Sequence, residues 1–438
     1  MSKKGFTWGV SSASYQIEGH DPSIQSIWDH FAKQDGKVYL NQDGSVACDH
    51  VSRYSEDISM IKKLGVDAYR LSLSWARIQP TKDSFSESGI DFYRQVLQEL
   101  KRQNIQATVT LYHWDLPLWI YDQNKGWSAR ETADLFLDYA IHVFDRLDEW
   151  VDHWSTLNEP FCSGYLGYEI GFHAPGHQDH QEYIQANHYL LLAHGKAVQY
   201  YKQHYVKPIS IVLNLSPVSS SMQHPNDKLA IDMMDIIYNR VYLDPLFKGS
   251  YPPRYIEHFT NHGYSFDFIQ EHDMEIISTP FDQLGVNYYS HTKVQFDSKS
   301  FFQLTHETTT LPKTAMGWDV VPDQLYVLID RVREDYPNIP IFIAENGAAY
   351  DDQLEDDTVK DEDRIAYLDG HIKVIESLSL THNVVGYYVW TLMDNYEWTF
   401  GYSKRFGLIH VDFETLKRTP KQSYLYYQLF LEQKKRPE

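Results

Sequence analysis

The chain has 438 residues, of which 42% are hydrophobic and 15% aromatic, and it carries a net charge of −21 at pH 7. This excess of carboxylates repels nucleic acids and anionic membrane surfaces, so we expect neither as a partner. The two cysteines, Cys48 and Cys162, are too few for a disulfide framework and are typical of a reducing compartment. No apolar run approaches the roughly 20 residues of a spanning helix, and the first residues lack the apolar segment of a signal peptide. We therefore predict a cytoplasmic protein.

Short apolar runs alternate along the chain with longer stretches in which apolar residues recur at helical spacing. The short runs predict eight strands, at residues 6–14, 68–75, 106–113, 153–158, 209–215, 283–289, 339–345 and 384–392. The helical spacing predicts helices around residues 54–64, 90–100, 130–147, 190–201, 227–243, 323–335, 361–379 and 421–434. The longer irregular stretches, about 161–180, 217–226, 291–320 and 346–360, are predicted to be loops.

This alternation predicts the fold class. Strands this apolar require helices on both faces of a sheet or a closed barrel. Eight such strands with interleaved helices indicate an α/β protein with a (β/α)8 barrel. No Gly/Ser-rich or Pro-rich linker divides the chain, so we expect residues 1–438 to form a single domain. The active site of such a barrel lies at the C-terminal ends of its strands.

The predicted strand ends carry polar and aromatic side chains that this fold would bring into one cavity. They include Gln16, Glu18, Arg70, His113, Trp114, Asn158, Glu159, Asn287, Tyr289, Glu345 and Trp390. Aromatic rings pack on the apolar faces of sugar rings, while amides and carboxylates bind hydroxyl groups as donors and acceptors. The set therefore predicts a sugar-binding cavity.

Two of these residues are carboxylates, which indicates glycoside hydrolysis. One carboxylate must be charged, and the other must carry a proton for the leaving oxygen. Neighbouring carboxylates lose their protons at separated apparent pKa values. We expect Arg70 to hold Glu345 ionised, which leaves Glu159 as the acid.

Ten segments in a fixed order give the chain a resemblance to a known family. They are GVSSASYQIEG, RLSLSWARI, TLYHWDLP, TLNEP, HAPG, GVNYYS, IAENG, WTLMDNYEW, GYSKRFGL and VDFETLKRTPKQS. Together they resemble family 1 of the glycoside hydrolases, and specifically its β-glucosidases. The resemblance implies a (β/α)8 barrel and a retaining double displacement through a glycosyl-enzyme intermediate, with no cofactor and no metal.

The resemblance also assigns roles to residues. In TLNEP, Glu159 matches the acid/base, and in IAENG, Glu345 matches the nucleophile. The positions that bind the non-reducing glycosyl unit are matched by Gln16, His113, Asn158, Glu397 and Trp398. Tyr289 matches the tyrosine beside the nucleophile, Trp390 matches the floor of the pocket, and Trp318 resembles a platform for the leaving group.

The expected substrate is a small β-glucoside or a cello-oligosaccharide, which implies a part in cellulose degradation. One alternative is a 6-phospho-β-glucosidase of the same family, and another is a non-catalytic sugar-binding barrel. Phospho-glycosidases of the family place Ser, Lys and Tyr around the phosphate, whereas the matching positions here hold Glu397, Lys404 and Phe406. This departure favours the plain glucoside, with Phe406 counted among the substrate-binding residues. The choice among glucose, galactose and fucose stays open, as does the oligomeric state, with a homo-oligomer among the alternatives.

Overall fold

Eight parallel strands close into a barrel in the computed structural model, which describes residues 5–435. The strands are β1 (Thr7–Ser11), β2 (Ala68–Ser72), β3 (Gln106–Tyr112), β4 (His153–Asn158), β5 (Ile209–Asn214), β6 (Gln283–Asn287), β7 (Ile341–Asn346) and β8 (Val384–Trp390). Each strand pairs with the next one along the chain, and β1 closes the barrel on β8, where Thr7 lies opposite Gly386. The predicted (β/α)8 barrel is confirmed.

Side chains from non-neighbouring strands fill the barrel. Ala68, Val212, Phe342, Ala344 and Tyr388 form one buried apolar cluster, although they come from β2, β5, β7 and β8. Strands that are not adjacent can meet only across the barrel axis, so this cluster is the interior packing. The larger apolar core lies between the strands and the surrounding helices. Both faces of each strand are covered, so nearly all strand residues are buried, including polar ones such as Arg70, Thr110 and Ser155.

Helices follow the strands around the outside of the barrel. The longer ones are His50–Leu64, Glu87–Arg102, Glu131–Leu147, His180–His204, Asp227–Asp235, Val241–Lys248, Pro253–Asn261, Pro322–Asp335, Glu362–Thr381 and Gln422–Lys435. Shorter ones are Ser14–Ile17, Ile27–Ala32, Trp75–Ile78, Leu118–Asn124, Pro160–Gly164 and Asp273–Ile277. Within residues 5–435, no helix has the length and apolar character needed to cross a membrane.

Two predicted strands end earlier than expected because a helical turn begins at the barrel rim. Strand β1 stops at Ser11, and the turn Ser14–Ile17 follows it, so Gln16 is presented from a helix. Strand β2 stops at Ser72 because the Ser74 hydroxyl accepts a hydrogen bond from the Arg77 amide and starts the helix Trp75–Ile78. Both strands are therefore followed by a short helical turn at the rim.

The stretches predicted as loops contain additional structure. A three-stranded sheet joins Val218–Ser219, Thr292–Phe296 and Leu304–His306, and a hairpin pairs Leu354–Glu355 with Thr358–Val359. A further antiparallel pair joins Ile409–Val411 and Arg418–Pro420. The helix predicted over 227–243 is interrupted at Ile236–Arg240 by a wider π-helical turn. These pieces are too short for periodicity to reveal. Formation of one domain by residues 1–438 stays a prediction.

Candidate active site

A cavity of about 450 Å³ opens at the C-terminal ends of the strands. Twelve of the predicted site residues line it: Gln16, His113, Trp114, Glu159, Asn287, Tyr289, Trp318, Glu345, Trp390, Glu397, Trp398 and Phe406. Arg70 and Asn158 are almost fully buried and hydrogen-bond to lining residues from below. Glu18, which was also expected in the cavity, does not line it and pairs with Arg77 at 3.1 Å instead. The fold therefore brings together side chains that are up to 390 residues apart in the sequence.

Glu345 lies on β7 and is held by a cation and a phenol. The Arg70 guanidinium donates from Nη1 to Oε1 at 2.7 Å, and the Tyr289 hydroxyl donates to Oε2 at 2.6 Å. Burial raises the pKa of Glu345, while the Arg70 charge and the two hydrogen bonds oppose this rise. Both oxygens are therefore fixed by groups that favour the charged carboxylate.

Glu159 follows β4 and has a less polar environment. Its backbone adopts a left-handed φ of 48°, and the short helix Pro160–Gly164 begins directly after it. The Asn287 amide donates to Oε1 at 2.7 Å, and the Cys162 thiol donates to Oε2 at 3.1 Å. Burial, followed by the negative charge of Glu345, raises the pKa of Glu159 from its ordinary 4.5 to about 8. A protonated Glu159 at neutral pH is the expected state.

Asn158 connects the two carboxyl groups through its amide. Its Oδ1 accepts hydrogen bonds from Arg70 at 2.7 Å and from Asn287 at 3.1 Å, and its Nδ2 lies 3.1 Å from His113 Nε2. Its backbone carbonyl accepts from Trp114 Nε1 at 2.9 Å. The groups that hold Glu345 and Glu159 therefore belong to one rigid hydrogen-bonded network.

Among the lining residues that were predicted from the sequence, three buried polar atoms have no hydrogen-bond partner within the described part of the chain: Gln16 Oε1, His113 Nδ1 and Asn287 Oδ1. Burial and the Arg70 charge keep the pKa of His113 well below its ordinary value, so its ring is neutral. Because Nε2 of this ring accepts from Asn158, Nδ1 carries the proton and is a free donor. One donor and two acceptors suit the hydroxyl groups of a sugar.

Aromatic rings form the walls of the cavity. The Trp390 ring is nearly parallel to His113 at 5.9 Å, and Trp398 is stacked on Tyr15 at 5.7 Å with an interplanar angle of 8°. Trp318 is only half-buried at the outer end of the cavity, 5.2 Å from Tyr289 between ring centroids. Flat rings at both ends fit a ligand with a sugar at the inner end and a second group at the outer end.

A buried ion cluster supports the segment that carries Glu397. Asp394 accepts hydrogen bonds from Lys421 and Arg405, both at 2.6 Å, and from the Gly407 amide at 2.9 Å. Lys421 also pairs with Asp352, and Asp352 pairs with Arg364 at 2.8 Å. Lys421 and Asp394 are both fully buried. The cluster joins the loop after β8 to the start of the C-terminal helix.

Several lining residues were not predicted from the sequence, and they lie on loops, short helices and one strand end. The unpredicted lining residues include Phe161, Cys162, Leu166, Phe172, His173, Asn214, Tyr238, Met316 and Phe400. Most lie in stretches where no periodic pattern reveals which way a side chain points. Cys162 is the exception, because it follows Glu159 by three residues, which is one helical turn. The Lys421 cluster had no local sequence signal, since its members are far apart in the chain.

Comparison with known proteins agrees with this geometry. A barrel with two buried carboxyl groups in an aromatic-lined cavity defines the class, and the chain is a glycoside hydrolase. The sequence profile described as Glycosyl hydrolase family 1 matches residues 2–436. The chain belongs to this family.

Relatives are similar along their whole length. Beta-glucosidase A of Thermotoga maritima is 40% identical over 436 residues, which cover 97% of this chain and 96% of that protein. The crystal structure of a GH1 beta-glucosidase from Exiguobacterium antarcticum B7 is 44% identical, with a TM-score of 0.97 and 99% of both chains covered. A beta-glucosidase structure from Exiguobacterium marinum is 45% identical, with a TM-score of 0.97 and complete coverage of both chains.

Proposed function

We propose that this glycoside hydrolase is a retaining β-glucosidase that removes terminal non-reducing β-D-glucosyl residues. The observation that carries the proposal is the unequal environment of two carboxyl groups in one cavity. Glu345 contacts a guanidinium and a phenol, whereas Glu159 contacts an amide and a thiol. This difference supports a charged nucleophile and a protonated acid at the same pH.

In the first step, Glu345 attacks the anomeric carbon while Glu159 gives its proton to the leaving oxygen. The product is a glycosyl ester of Glu345 and a free alcohol. Esterification removes the charge of Glu345, which is one cause of the raised pKa of Glu159. The pKa of Glu159 therefore falls in the intermediate.

In the second step, the deprotonated Glu159 takes a proton from water, and the water oxygen attacks the anomeric carbon. Glu345 departs as a carboxylate, and the Arg70 and Tyr289 hydrogen bonds stabilise its returning charge. Two inversions at the same carbon give net retention of the β configuration.

The substrate class follows from the two ends of the cavity. Gln16, His113, Asn287 and Glu397 supply donors and acceptors for the glucosyl unit at the inner end. Trp318 supports an aryl, alkyl or second glucosyl group at the outer end. A 40% identical relative from Thermotoga neapolitana is named 1,4-beta-D-glucan glucohydrolase, which supports cello-oligosaccharides as substrates and a part in cellulose degradation.

Two contacts disfavour the 6-phospho-β-glucosidase alternative. The Lys404 ammonium donates to the Ala315 carbonyl at 2.7 Å and lies over the Phe400 ring, so it is already engaged. Glu397 brings a carboxylate to the position where a phosphate would need a donor, and Phe406 has no hydroxyl group. A sugar-binding barrel without activity would not need two carboxyl groups with such different partners.

The protein is further proposed to act in the cytoplasm on small glycosides, without a nucleic acid or membrane partner. Its two cysteines are both buried and free, which supports a reducing compartment. A homo-oligomer is compatible with this function.

A panel of nitrophenyl glycosides tests the proposal. We expect the highest kcat/KM for the β-glucoside, and little activity on the α-glucoside or the β-glucoside 6-phosphate. Proton NMR at early times should show β-glucose as the first product. Initial release of α-glucose would contradict the retaining mechanism, and no turnover of any β-glycoside would contradict the enzyme assignment.

A further inference from the structure

A thiol lies against the carboxyl group of Glu159 at the wall of the cavity. Cys162 Sγ is 3.1 Å from Glu159 Oε2, and the cysteine is 6% exposed. The Cys162 amide also donates to the Glu159 carbonyl at 2.9 Å, so the first turn of the helix Pro160–Gly164 fixes the two residues relative to each other. We propose that Cys162 is a positioning residue that tunes the proton affinity of the acid/base. This inference rests on the proposed role of Glu159.

The neighbours of Glu159 indicate which of its oxygens carries the proton. The Asn287 side chain donates to Oε1 at 2.7 Å, and an amide nitrogen cannot accept a hydrogen bond. A carbonyl-type oxygen is the better acceptor, so this contact favours the proton on Oε2. The thiol therefore contacts the oxygen that gives the proton to the leaving group and later takes one from water.

A thiol suits this position because it is a weak partner. An S–H group donates weakly to oxygen, and sulfur accepts weakly in return. It can therefore contact Oε2 in both protonation states without strongly favouring the carboxylate. Burial and the adjacent Glu159 charge raise the pKa of the Cys162 thiol well above its ordinary value. The thiol keeps its own proton, and no proton passes to or from sulfur.

Other charged or titratable groups face Glu159 from several elements. They are Glu345 on β7, Arg70 on β2, Tyr289 after β6, Tyr238 on the π-helical turn, and Glu397 after β8. None of them changes when Cys162 is replaced. A shift in the proton affinity of Glu159 in a Cys162 variant therefore reports the loss or strengthening of the sulfur contact.

The test is the pH dependence of kcat/KM for Cys162→Ala and Cys162→Ser, compared with the unaltered enzyme. Removing the donor should raise the pKa of Glu159, because the charged form loses a hydrogen bond, and a hydroxyl group should lower it. We expect the alkaline limb to move upward by about half a pH unit in Cys162→Ala and downward by a similar amount in Cys162→Ser. The change in kcat/KM between each Cys162 variant and the unaltered enzyme should be larger for cellobiose than for dinitrophenyl glucoside, because only cellobiose needs a proton on its leaving group.

Cys48→Ala is the matched control. This buried thiol donates to the Asp394 carbonyl and does not contact Glu159, so its loss should leave the alkaline limb in place. Thermal unfolding of each variant identifies misfolded enzyme, and the near-isosteric serine variant keeps the test valid if alanine destabilises the fold. Identical alkaline limbs in the Cys162 variants and the unaltered enzyme would overturn the inference. If Glu159→Gln kept the alkaline limb, the role of Glu159 itself would fail instead.

Discussion

Arg70 Nη1 lies 2.7 Å from Glu345 Oε1, and the exposed fractions of the two side chains are only 1% and 4%. Removing one member of such a buried pair leaves an uncompensated charge. Glu159 contacts two neutral donors instead. Glu345 and Glu159 are therefore expected to differ in charge at neutral pH, and the first three predictions depend on this difference.

Replacing Glu345 with glycine should abolish hydrolysis and leave an intact cavity with room for a small anion. Azide should then restore the reaction of dinitrophenyl β-glucoside, because it attacks from the side that the carboxylate occupied. The product should be the α-glucosyl azide, identified by its anomeric proton coupling in NMR. A β-glucosyl azide would contradict the nucleophile assignment. Glu355→Gly, on an exposed hairpin, is a control that should retain hydrolysis.

Replacing Glu159 with alanine should slow the enzyme according to the leaving group. General acid assistance typically contributes 10²–10⁴-fold, and a leaving group that needs no proton does not use it. We expect a loss in that range for glycosylation by cellobiose and a small loss for dinitrophenyl glucoside, both measured in pre-steady-state experiments. Equal losses for the two substrates would show that Glu159 is not the acid.

The pH profile of kcat/KM should have two limbs with opposite origins. Burial and the Glu345 charge raise the pKa of Glu159 to about 8, so the acid loses its proton and activity falls as pH rises through that value. Burial also raises the pKa of Glu345 above the ordinary glutamate value of 4.5. As pH falls through this raised pKa, the nucleophile becomes protonated and activity should fall. Because Glu345 and Glu159 interact, the pH values of the two limbs are apparent pKa values of the pair. A profile that stays flat between pH 6 and pH 9.5 would contradict the assignment.

The carboxyl group of Glu397 should discriminate against a 6-phosphate. Above pH 8, where Glu397 is charged, we expect nitrophenyl β-glucoside to exceed its 6-phosphate in kcat/KM by about a hundredfold or more, because like charges would meet in a partly dry cavity. Burial raises the pKa of Glu397 to about 8, so the preference should increase as pH rises through this value. Glu397→Ser should weaken binding of the glucoside and reduce the difference in kcat/KM between the glucoside and its 6-phosphate. Comparable kcat/KM values in the unaltered protein would instead support a phospho-glucosidase.

Replacing Lys421 with methionine should destabilise the fold. Lys421 is fully buried between Asp352 and Asp394, and its loss leaves two buried carboxylates short of a partner. Breaking a buried pair in this way costs about 3–5 kcal/mol in the free energy of unfolding, measurable by denaturant titration. Lys417→Met is the matched control, since Lys417 is 58% exposed in its pair with Asp357. Equal stability of the two variants would contradict a structural role for the cluster.

The barrel and most of the candidate site were predictable because both depend on local patterns. A doubly buried strand produces an apolar run, and its polar end places residues such as Glu345 at the rim. The role of each residue within the site was harder to predict, because it depends on contacts with residues that are distant in the sequence. Asn158, predicted to bind substrate, engages its side chain with three protein groups, and this arrangement depends on Arg70 in β2 and on His113 directly after β3. Its contact with the glycosyl unit stays a prediction.

The Lys421 cluster was beyond prediction for a related reason. Lys421 pairs with Asp352, which is 69 residues away in the sequence. The residue type alone does not show whether a lysine is buried or exposed. Only the packed fold determines which charges lose their contact with water. The loops around 161–180 and 291–320 were similarly ambiguous, since short strands and single turns lack a readable period.

The cavity has an inner half next to the Lys421 cluster and an outer half on exposed loops, and the two halves can change at different rates. Its inner half is anchored by buried ion pairs, so a substitution near Glu397 disturbs charges that have no access to water. The outer half is built from partly exposed loops around Phe172, Met316 and Trp318, where substitutions cost little stability. Gene variants of this enzyme can therefore acquire new leaving-group preferences while the recognised sugar stays the same.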